Sequence, residues 1–404
     1  MKAVEIKEGI YWTGAIDWAI RDFHGYETPR GTSYNNYLIM DEDITLVDTV
    51  KREFVEVMIK NIQGLTDPSK IKNVVVNHIE NDHAAGIDTI MKLAPDATVY
   101  ITEKGRKGLE RFFDISRWKM KIVKTGDTLA IGKRTLLFIE TPMLHWPDSM
   151  MAYVKEQKTL FSQDAFGQHI ASEDRFDDEY VSCESISMLD DAVVDYYANI
   201  IMPFGGTVKT KIAEISKLAP EIDMIAPVHG IIWRRDPQKV LRVYMDMAEG
   251  KSRLRAAIIY DTMWHSTEHM VMPISQGIKD EQIECKVIKL RATPTSVAIK
   301  EFWMARGCLI GTPTLNNSMF PSVAQFLTYL RGLRPRNRMA GAFGSYGWAG
   351  GAVRDCYEEF KKMGLELHEP GVQALYRPSP EDDAACYDFG RAFAKKLREY
   401  HEKF

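Results

Sequence analysis

Asn77-His78-Ile79-Glu80-Asn81-Asp82-His83 is the run of residues that decides how this chain is interpreted. It continues from Val74–His78, whose β-branched residues predict a buried strand. Two histidines, His78 and His83, enclose two carboxylates, Glu80 and Asp82, just after that strand. A tight loop there can direct all four side chains toward one point. A solvated polar loop or a helix N-cap is the alternative, because Asp and Asn favour those places. The interleaved imidazoles and carboxylates instead favour a metal site.

Three further candidate ligands stand alone, each beside a predicted strand. They are His145 within Met143–Asp148, Asp164 after Leu160–Gln163, and His229 after Met224–Val228. Taken singly, each is more typical of a satisfied core or capping residue. Together with the loop residues they provide ligands of two chemical types, enough for two metal ions that share one carboxylate.

Length and charge limit the function classes that remain. A chain of 404 residues predicts two or three domains. Lys plus Arg is 52 and Asp plus Glu is 56, so the net charge is −4. Such a slightly acidic chain has no electrostatic footprint for nucleic acid, and no apolar run reaches the roughly 20 residues that span a bilayer. We therefore expect a cytoplasmic protein with neither nucleic acid nor membrane as a partner.

The cysteines exclude several kinds of redox site. Five of them are scattered through the chain, at Cys183, Cys285, Cys308, Cys356 and Cys386. An odd and scattered set is not typical of a disulfide framework. There is no C-x-x-C, so a zinc ribbon, a rubredoxin-type iron site and a cysteine-ligated iron–sulfur cluster all lack ligands. A redox metal in this protein must be held by other residues.

The sequence pattern changes near residue 250. Residues 1–250 contain many short strands with helices between them, whereas residues 251–404 alternate strictly between strand and helix. The strands predicted in the second part are Ala256–Tyr260, Ile283–Leu290, Cys308–Gly311 and Met339–Phe343. This alternation predicts a doubly wound α/β domain with a parallel sheet, whose ligand lies at the carboxyl ends of the strands.

Three loops at those strand ends indicate a phosphate and a flat ring. The first loop carries the hydroxyls of Thr262, Ser266 and Thr267, which suit a phosphate at a helix N-terminus. The loop has neither the G-x-G-x-x-G motif of dinucleotide sites nor the Walker lysine of nucleoside triphosphate sites. An ordinary strand–helix turn explains any one loop, but three in register favour a ligand. Hydroxyl-rich loops of this kind resemble those with which flavodoxins hold FMN. The predicted FMN-binding residues are Thr262, Met263, Trp264, His265, Ser266, Thr267, Pro313, Thr314, Leu315, Asn316, Asn317, Ser345, Tyr346, Gly347, Trp348, Ala349 and Gly350.

The spacing H-x-E-x-D-H, followed by His, Asp and His at strand ends, resembles the metallo-β-lactamase superfamily. The usual loop of that superfamily is H-x-H-x-D-H, and Glu80 takes the place of its middle histidine. A mixed set of imidazoles and carboxylates suits a harder, redox-active metal such as iron better than zinc. The resemblance implies a metallo-β-lactamase-like αββα domain over residues 1–250, ahead of a flavodoxin-like domain over residues 251–404.

The two domains in this order resemble the flavodiiron proteins, also called A-type flavoproteins. The resemblance implies FMN and two iron ions per chain. It implies that one iron is bound by His78, Glu80, His145 and Asp164, and the other by Asp82, His83, His229 and the shared Asp164. His24 and Tyr197 match positions that lie beside the irons without binding them, although helix packing is an equal explanation for Tyr197.

Within that family, the chain resembles the methanogen members that oxidise reduced coenzyme F-420, a deazaflavin, with dioxygen. This predicts an oxidase that detoxifies oxygen, passing electrons through FMN and the di-iron centre to reduce O2 to water. The resemblance also implies a head-to-tail homodimer, and pairing of dimers into a tetramer is a further option. A nitric oxide reductase and a rubredoxin-linked oxygen reductase remain as alternatives. A zinc hydrolase and a pure electron carrier are weaker ones.

Overall fold

A computed structural model describes residues 2–404, which form two compact units. The first unit comprises the described residues through Tyr196 together with Phe204–Met245. The second comprises Tyr197–Pro203 and Asp246–Phe404. The functional division at residue 250 stays a prediction.

Two β-sheets form the centre of the first unit. Its strands are β1 (Val4–Lys7), β2 (Ile10–Trp12), β3 (Ala15–Asp17), β4 (Asp22–Phe23), β5 (Tyr26–Glu27), β6 (Thr32–Tyr34), β7 (Tyr37–Ile39), β8 (Thr45–Val47), β9 (Asn73–Val75), β10 (Thr98–Ile101), β11 (Lys119–Ile122), β12 (Thr128–Ala130), β13 (Thr135–Glu140), β14 (Met150–Val154), β15 (Thr159–Gln163) and β16 (Met224–Pro227). The seven-stranded sheet has the order β1-β2-β7-β8-β9-β10-β11, and the five-stranded sheet runs from β12 to β16 in sequence order. Two small antiparallel pairs, β3–β6 and β4–β5, form separate two-stranded sheets.

The two sheets pack face to face through one hydrophobic core. Trp12, Tyr37 and Val75 from the first sheet are buried in one cluster with Phe138 and Phe161 from the second. The apolar, β-branched and aromatic residues of these strands suit this two-sheet packing because their side chains fill the space between pleated surfaces.

Helices cover the outer faces of the pair of sheets. They are α1 (Val55–Gln63), α2 (Asn81–Ala84), α3 (Ile87–Leu93), α4 (Glu103–Leu109), α5 (Cys183–Tyr196), α6 (Gly205–Leu218) and α7 (Pro237–Ala248). Met58 of α1 and Ile90 of α3 share a second buried cluster with Leu46 and Val74 of the first sheet. On the side of the second sheet, the ring of Tyr244 in α7 lies 4.8 Å from that of Phe166. The predicted αββα architecture is confirmed.

A five-stranded parallel sheet forms the centre of the second unit. Its strands are β17 (Arg253–Tyr260), β18 (Glu284–Lys289), β19 (Ala305–Gly311), β22 (Met339–Tyr346) and β23 (Glu366–Leu375), with β20 (Thr314–Leu315) and β21 (Ser318–Met319) forming a small hairpin. The order β18-β17-β19-β22-β23 is the flavodoxin-like doubly wound order. The predicted strands are present. The sequence missed β23, because Pro370 and Gly371 interrupt its pattern and an edge strand tolerates both.

Five helices pack against this sheet. They are α8 (Ser266–Asp280), α9 (Thr295–Met304), α10 (Pro321–Leu333), α11 (Ala352–Met363) and α12 (Pro380–His401). Ile274 of α8 and Phe393 of α12 are buried in one cluster with Ile258 of the sheet. Right-handed crossovers place α9, α10 and α11 on the opposite face. None of the helices described in residues 2–404 combines the length and apolarity that a membrane crossing requires.

A short segment between α5 and α6 belongs to the second unit. It begins with a π-helical turn, Tyr197–Ile201. The ring of Tyr197 lies 5.9 Å from that of Trp303, and the amide of Asn199 donates to the carbonyl of Ser296 at 3.3 Å. The hydroxyl of Tyr329 in turn donates to Asn199 Oδ1 at 3.2 Å.

Candidate functional site

The candidate ligands of the first unit follow three strands, β9, β15 and β16, or lie in the connection between β13 and β14. His78 and Glu80 lie in the loop after β9, and Asp82 and His83 lie in the short helix α2. Asp164 directly follows β15, and His229 is the second residue after β16. Because β15 and β16 are parallel neighbours, their carboxyl ends meet at one edge of the sheet. His145 lies between β13 and β14.

A glycine is required next to one of these ligands. Gly230 follows His229 and has a φ of +75°, in the left-handed region. A Cβ at this position would stand 2.1 Å from Gln168 Oε1. Only glycine therefore allows the chain to turn here while His229 faces the cluster.

The structure brings all seven predicted ligands together. Their donor atoms form overlapping groups within 4.8 Å, among them His78, Glu80, His145 and Asp164, then His83, Asp164 and His229, and then Glu80, Asp82 and His83. Their role as ligands stays a prediction, but their placement matches it.

Asp164 lies at the centre of the cluster. Its Oδ2 is 3.6 Å from His78 Nε2 and 3.5 Å from the Nε2 atoms of both His83 and His145. Its Oδ1 is 3.4 Å from His229 Nε2. The carboxylate is wholly buried, so both oxygens face histidine nitrogens on the two sides of the cluster. This is the position that a carboxylate shared between two metal ions requires.

The donor atoms of the cluster fit metal ions better than they fit one another. Several buried atoms have no hydrogen-bond partner within residues 2–404: His78 Nε2, Glu80 Oε2, Asp82 Oδ1 and Oδ2, His83 Nε2, His145 Nε2, Asp164 Oδ2 and His229 Nε2. Buried polar atoms are normally paired or bind metal. Two ligands about 2.1 Å from one ion stand about 3.0–3.4 Å apart. The separations His145 Nε2–Glu80 Oε2 of 3.2 Å and His229 Nε2–Asp82 Oδ2 of 2.9 Å are close to that range.

The electrostatics of the cluster favour positive charge. Burial lowers the pKa of His78 and of His83, but the neighbouring carboxylates outweigh burial and raise both pKa values to about 9. The same balance raises the pKa of His145 and of His229 to about 9. Burial also raises the pKa of the Asp164 carboxyl, yet His83 and the other histidines hold that pKa well below its usual range. Protons or bound cations can supply the charge that this site stabilises.

Two histidines of the cluster are oriented by atoms behind their rings. The Nδ1 of His78 is 2.8 Å from Asp148 Oδ2, and the Nδ1 of His229 is 2.7 Å from the carbonyl oxygen of Ser33. Each contact leaves Nε2 directed at the cluster. The sequence contains Asp148 in the segment around His145, but no pattern indicated its contact with His78.

The two predicted neighbours of the metals have different outcomes. His24 lies beside the cluster, with Nδ1 3.1 Å from Glu80 Oε1. Tyr197 packs against Trp303 in the second unit, and it is Tyr196 whose hydroxyl donates to Asp164 Oδ1 at 3.0 Å. One residue along a helix turns a side chain by about 100°, so adjacent tyrosines face different surroundings.

One buried histidine beside the cluster was missed. The ring of His169 lies 5.0 Å from that of His229, and its Nδ1 is 2.8 Å from Thr32 Oγ1. Burial, together with the charges of His229 and His24, holds its pKa well below the usual range, so it is neutral. No local motif marks this residue, because its position depends on a contact with the distant β6.

A cavity of about 560 Å³ opens beside the candidate ligands of the first unit. Glu80 and Asp82 lie on its wall with His24, and the aromatic rings of Phe112 and Trp146 also line it. A small reactant therefore has room next to the ligand cluster.

A larger cavity, of about 920 Å³, lies at the carboxyl ends of the strands in the second unit. All of the predicted flavin residues line it except Thr262, Thr267 and Gly350. His269, Tyr376, Arg377 and Pro378 also line it and were missed, because three of them follow the strand that the sequence did not reveal.

Thr262 and Thr267, the two buried threonines of the first loop, do not line the cavity. The Thr262 side chain is 2% exposed, and its Oγ1 has no partner within residues 2–404. The Oγ1 of Thr267 lies 2.9 Å from Ser345 Oγ and so joins the first loop to the third. An unpaired hydroxyl beside the start of α8 fits a phosphate at that helix N-terminus.

An ion pair between the buried Asp261 and the half-exposed Arg291 holds the beginning of this loop. Both oxygens of Asp261 lie 2.9 Å from Nε of Arg291, and Asp261 Oδ1 accepts from the Thr262 amide at 2.7 Å. Asp261 is fully buried. The pair connects the loop after β17 to the segment after β18.

Two family models cover the two units. Residues 32–230 match the ODP family beta lactamase, and residues 258–390 match flavodoxin. A nitric oxide reductase from Moorella thermoacetica is 45% identical over 98% of this chain and 98% of its own.

Solved structures agree over the whole chain. The rubredoxin oxygen:oxidoreductase from the anaerobe Desulfovibrio gigas superposes with a TM-score of 0.95 at 36% identity, covering 99% of both chains. The flavodiiron protein from Giardia intestinalis superposes with a TM-score of 0.95 at 33% identity, covering 100% of this chain and 98% of the other.

Proposed function

Because this chain belongs to the flavodiiron protein family of oxidoreductases, we propose that it carries electrons from reduced coenzyme F-420 through FMN and two irons to dioxygen. The proposed activity is a four-electron reduction of O2 to water, which serves to remove oxygen in the cytoplasm. The single observation that carries the proposal is the largely buried cluster of seven donor side chains, with Asp164 at its centre.

The metal half of the proposal assigns a role to each ligand. We assign His78, Glu80 and His145 to one iron and Asp82, His83 and His229 to the other, with Asp164 shared. The unpaired buried donor atoms and their separations support this assignment. Two irons held by these residues would supply one-electron redox chemistry at the cluster. The carboxylates lower the charge of the cluster, and the buried walls limit access of water.

The flavin half of the proposal rests on the large cavity of the second unit. We assign the phosphate of FMN to the hydroxyls of Thr262, Ser266 and Thr267 at the N-terminus of α8. The ring system is assigned to the loops around Asn316 and Trp348. FMN held there would supply the chemistry that converts two-electron hydride transfer into one-electron transfer.

The overall reaction balances in atoms and electrons. Two molecules of reduced F-420 release four electrons and four protons and become two of oxidised F-420. One O2 takes up those electrons and protons and becomes two molecules of water. No side chain of this chain is required to act as a nucleophile.

The residues at the rim of the flavin cavity support F-420 as the electron donor. Trp264 and Trp348 line it and are 81% and 91% exposed, so flat aromatic faces are open to a second ring. Arg377 lines it as well and adds a positive charge to the cavity wall. A planar and anionic donor such as F-420 fits this combination.

A nitric oxide reductase is the second candidate. The Moorella relative bears that name, and the same ligand set serves either gas. Two NO would take up two electrons and two protons to give N2O and one water. A rubredoxin-linked oxygen reductase is the third candidate, because the Desulfovibrio structure bears that name. A zinc hydrolase and a pure electron carrier are not retained, because each leaves one half of the molecule without a role.

We also propose that the flavin unit of one chain serves the metal unit of a second chain in a head-to-tail homodimer. Residues 1–250 would then act as the metal domain and residues 251–404 as the flavin domain. Pairing of two dimers into a tetramer is compatible with this arrangement.

A stopped-flow comparison of donors tests the proposed function. The FMN-loaded protein is mixed anaerobically with reduced F-420, NADH or reduced rubredoxin, and bleaching of the flavin is followed. Reduced F-420 is expected to react fastest, and the reduced protein is then expected to consume O2 faster than NO without releasing peroxide. If reduced rubredoxin bleaches the flavin faster, then rubredoxin and not F-420 is the donor. If the reduced protein consumes NO faster, then NO and not O2 is the acceptor.

A further inference from the structure

Asp148 is a buried carboxylate that contacts one metal-binding histidine from behind. Its Oδ2 lies 2.8 Å from His78 Nδ1 and accepts a second hydrogen bond from the Ile79 amide at 2.9 Å. The side chain is 4% exposed. Its carbonyl oxygen accepts from Thr102 Oγ1 at 2.9 Å, so its backbone is held as well.

On the other side of the cluster, no carboxylate within residues 2–404 contacts a histidine Nδ1 directly, although the charge of the buried Asp48 acts on His83. His229 Nδ1 contacts the neutral carbonyl of Ser33 at 2.7 Å. His83 Nδ1 is buried and has no hydrogen-bond partner in the described residues. The histidines of the two proposed metal positions thus differ in the groups that their Nδ1 atoms contact. The two positions are similar in their number of carboxylate ligands.

A carboxylate behind an imidazole changes what the ring offers to a metal. It fixes the tautomer in which Nδ1 carries the proton and Nε2 is free, and it increases the electron density at Nε2. It also prevents the ring from rotating. A neutral carbonyl orients the ring but adds no charge.

From this asymmetry we infer that Asp148 is a positioning residue that makes the site of His78, Glu80, His145 and Asp164 the tighter of the two metal sites. This inference rests on the proposed function, since it takes the cluster to hold two metal ions. The tighter site fills first, and the site of Asp82, His83 and His229 fills second.

Titration of the metal-free full-length protein with Co²⁺ tests this order without any turnover assay. The wild-type chain is expected to bind two Co²⁺ in two separate steps, followed by visible absorption and calorimetry. Asp148→Asn keeps the size of the side chain and an acceptor oxygen but removes the charge. It is expected to weaken the first step by about 10–100-fold, so that the two steps merge, while the second step keeps its affinity.

A matched control separates charge behind His78 from support of the loop. Asp48 is also a buried carboxylate of this region, and it accepts from the amide and the side chain of Asn77 at 2.8 Å each, without a hydrogen bond to His78. Asp48→Asn is expected to leave the tight first step in place. Loss of that step in Asp48→Asn to the same extent as in Asp148→Asn would overturn the inference.

The remaining outcomes are distinct. If wild-type protein binds two Co²⁺ and Asp148→Asn gives an unchanged titration, or weakens both steps equally, this inference fails and the proposed function stands. If the wild-type chain binds fewer than two Co²⁺, the proposed function itself fails. Should Asp148→Asn not fold, Asp148→Glu keeps the negative charge and is expected to retain two separate steps. Merged steps in that variant would overturn the inference.

Discussion

The hydroxyl of Tyr196 donates a hydrogen bond to Asp164 Oδ1 at 3.0 Å, whereas the adjacent Tyr197 packs its ring 5.9 Å from that of Trp303. Tyr196 is the last residue of α5, and Tyr197 opens the π-helical turn. Two identical side chains side by side thus belong to different units of the chain. The first holds the carboxylate at the centre of the ligand cluster, and the second holds a segment to the flavodoxin-like unit.

The variant Tyr196→Phe removes the hydrogen bond to Asp164 and keeps the ring. A hydrogen bond to a charged acceptor contributes about 1.5–3 kcal/mol, so we expect turnover with O2 to fall about tenfold or more. Tyr197→Phe is the matched control and is expected to keep turnover near wild type, since the ring still packs on Trp303. An oxygen electrode measures O2 turnover of the two variants and of wild type, with all three proteins at equal iron content. Equal losses in the two variants would contradict the assignment.

The clustering of the seven candidate ligands was predictable from sequence because their chemistry is local. His78, Glu80, Asp82 and His83 are close neighbours in the chain, and the others lie near the ends of strands whose patterns are clear. The parallel sheet of the second unit was likewise predictable, because strands and helices alternate strictly in residues 251–404.

The surroundings of the site depend on contacts that no local pattern encodes. Asp148 reaches His78 across 70 residues, and His169 contacts Thr32 across 137. The choice between Tyr196 and Tyr197 depends on the angular position at the end of a helix, where a π-helical turn changes the number of residues per turn. These residues become visible only in the folded chain.

Asp164→Asn tests the shared ligand. The amide is neutral and bridges two cations poorly, so we expect iron content to fall and O2 turnover to collapse. Anaerobic reduction of FMN by the donor is expected to stay at the wild-type rate, because the flavin cavity is built from other residues. Metal analysis and stopped-flow bleaching of the flavin give both values. Turnover near wild type would show that Asp164 is not shared.

Glu268 provides a pH-dependent contribution beside the proposed phosphate loop. It lies 2.6 Å from His265 Nδ1, 2.7 Å from the Tyr260 hydroxyl and 3.0 Å from Lys289 Nζ, and these bonds lower its pKa from 4.5 to about 2. Because the folded-state pKa is depressed, the stabilisation is fully present above pH 4.5 and is lost as the pH falls toward 2.

We therefore expect Glu268→Gln to lower the temperature at which FMN is released at neutral pH. The difference from wild type should shrink as the pH falls below 4.5, where Glu268 begins to be protonated in the unfolded chain. Flavin fluorescence during heating measures the release at each pH. A difference that stays constant down to about pH 3 would contradict the role assigned to this carboxylate.

Trp348→Ala tests the proposed donor platform. The side chain is 91% exposed and lines the flavin cavity, so its removal is expected to leave FMN bound through Thr262, Ser266 and Thr267. Hydride transfer needs the donor ring stacked close to the flavin, so the anaerobic rate of reduction by F-420 is expected to fall while iron content is unchanged. Trp348→Phe keeps an aromatic face and should restore most of the rate. A stopped-flow trace of Trp348→Ala that matches wild type would remove Trp348 from the site.

The head-to-tail arrangement predicts that two inactive variants restore activity when they are mixed. Asp164→Asn keeps its flavin cavity but lacks the shared metal ligand, and Ser266→Trp keeps its metal cluster but places an indole where the phosphate is proposed to bind. Each homodimer alone should be inactive with O2. In a mixed dimer, the flavin of the first variant faces the intact metal cluster of the second, so one of the two sites is complete.

Mixing equal amounts and allowing the subunits to exchange should produce mixed dimers as about half of the total, and thus about a quarter of wild-type activity. Light scattering on the same samples checks that dimers persist, and mixing each variant with itself provides the baseline. If electrons instead pass from flavin to metal within one chain, no combination of the two variants contains a complete site. The mixture would then stay as inactive as its components, and the head-to-tail proposal would be wrong.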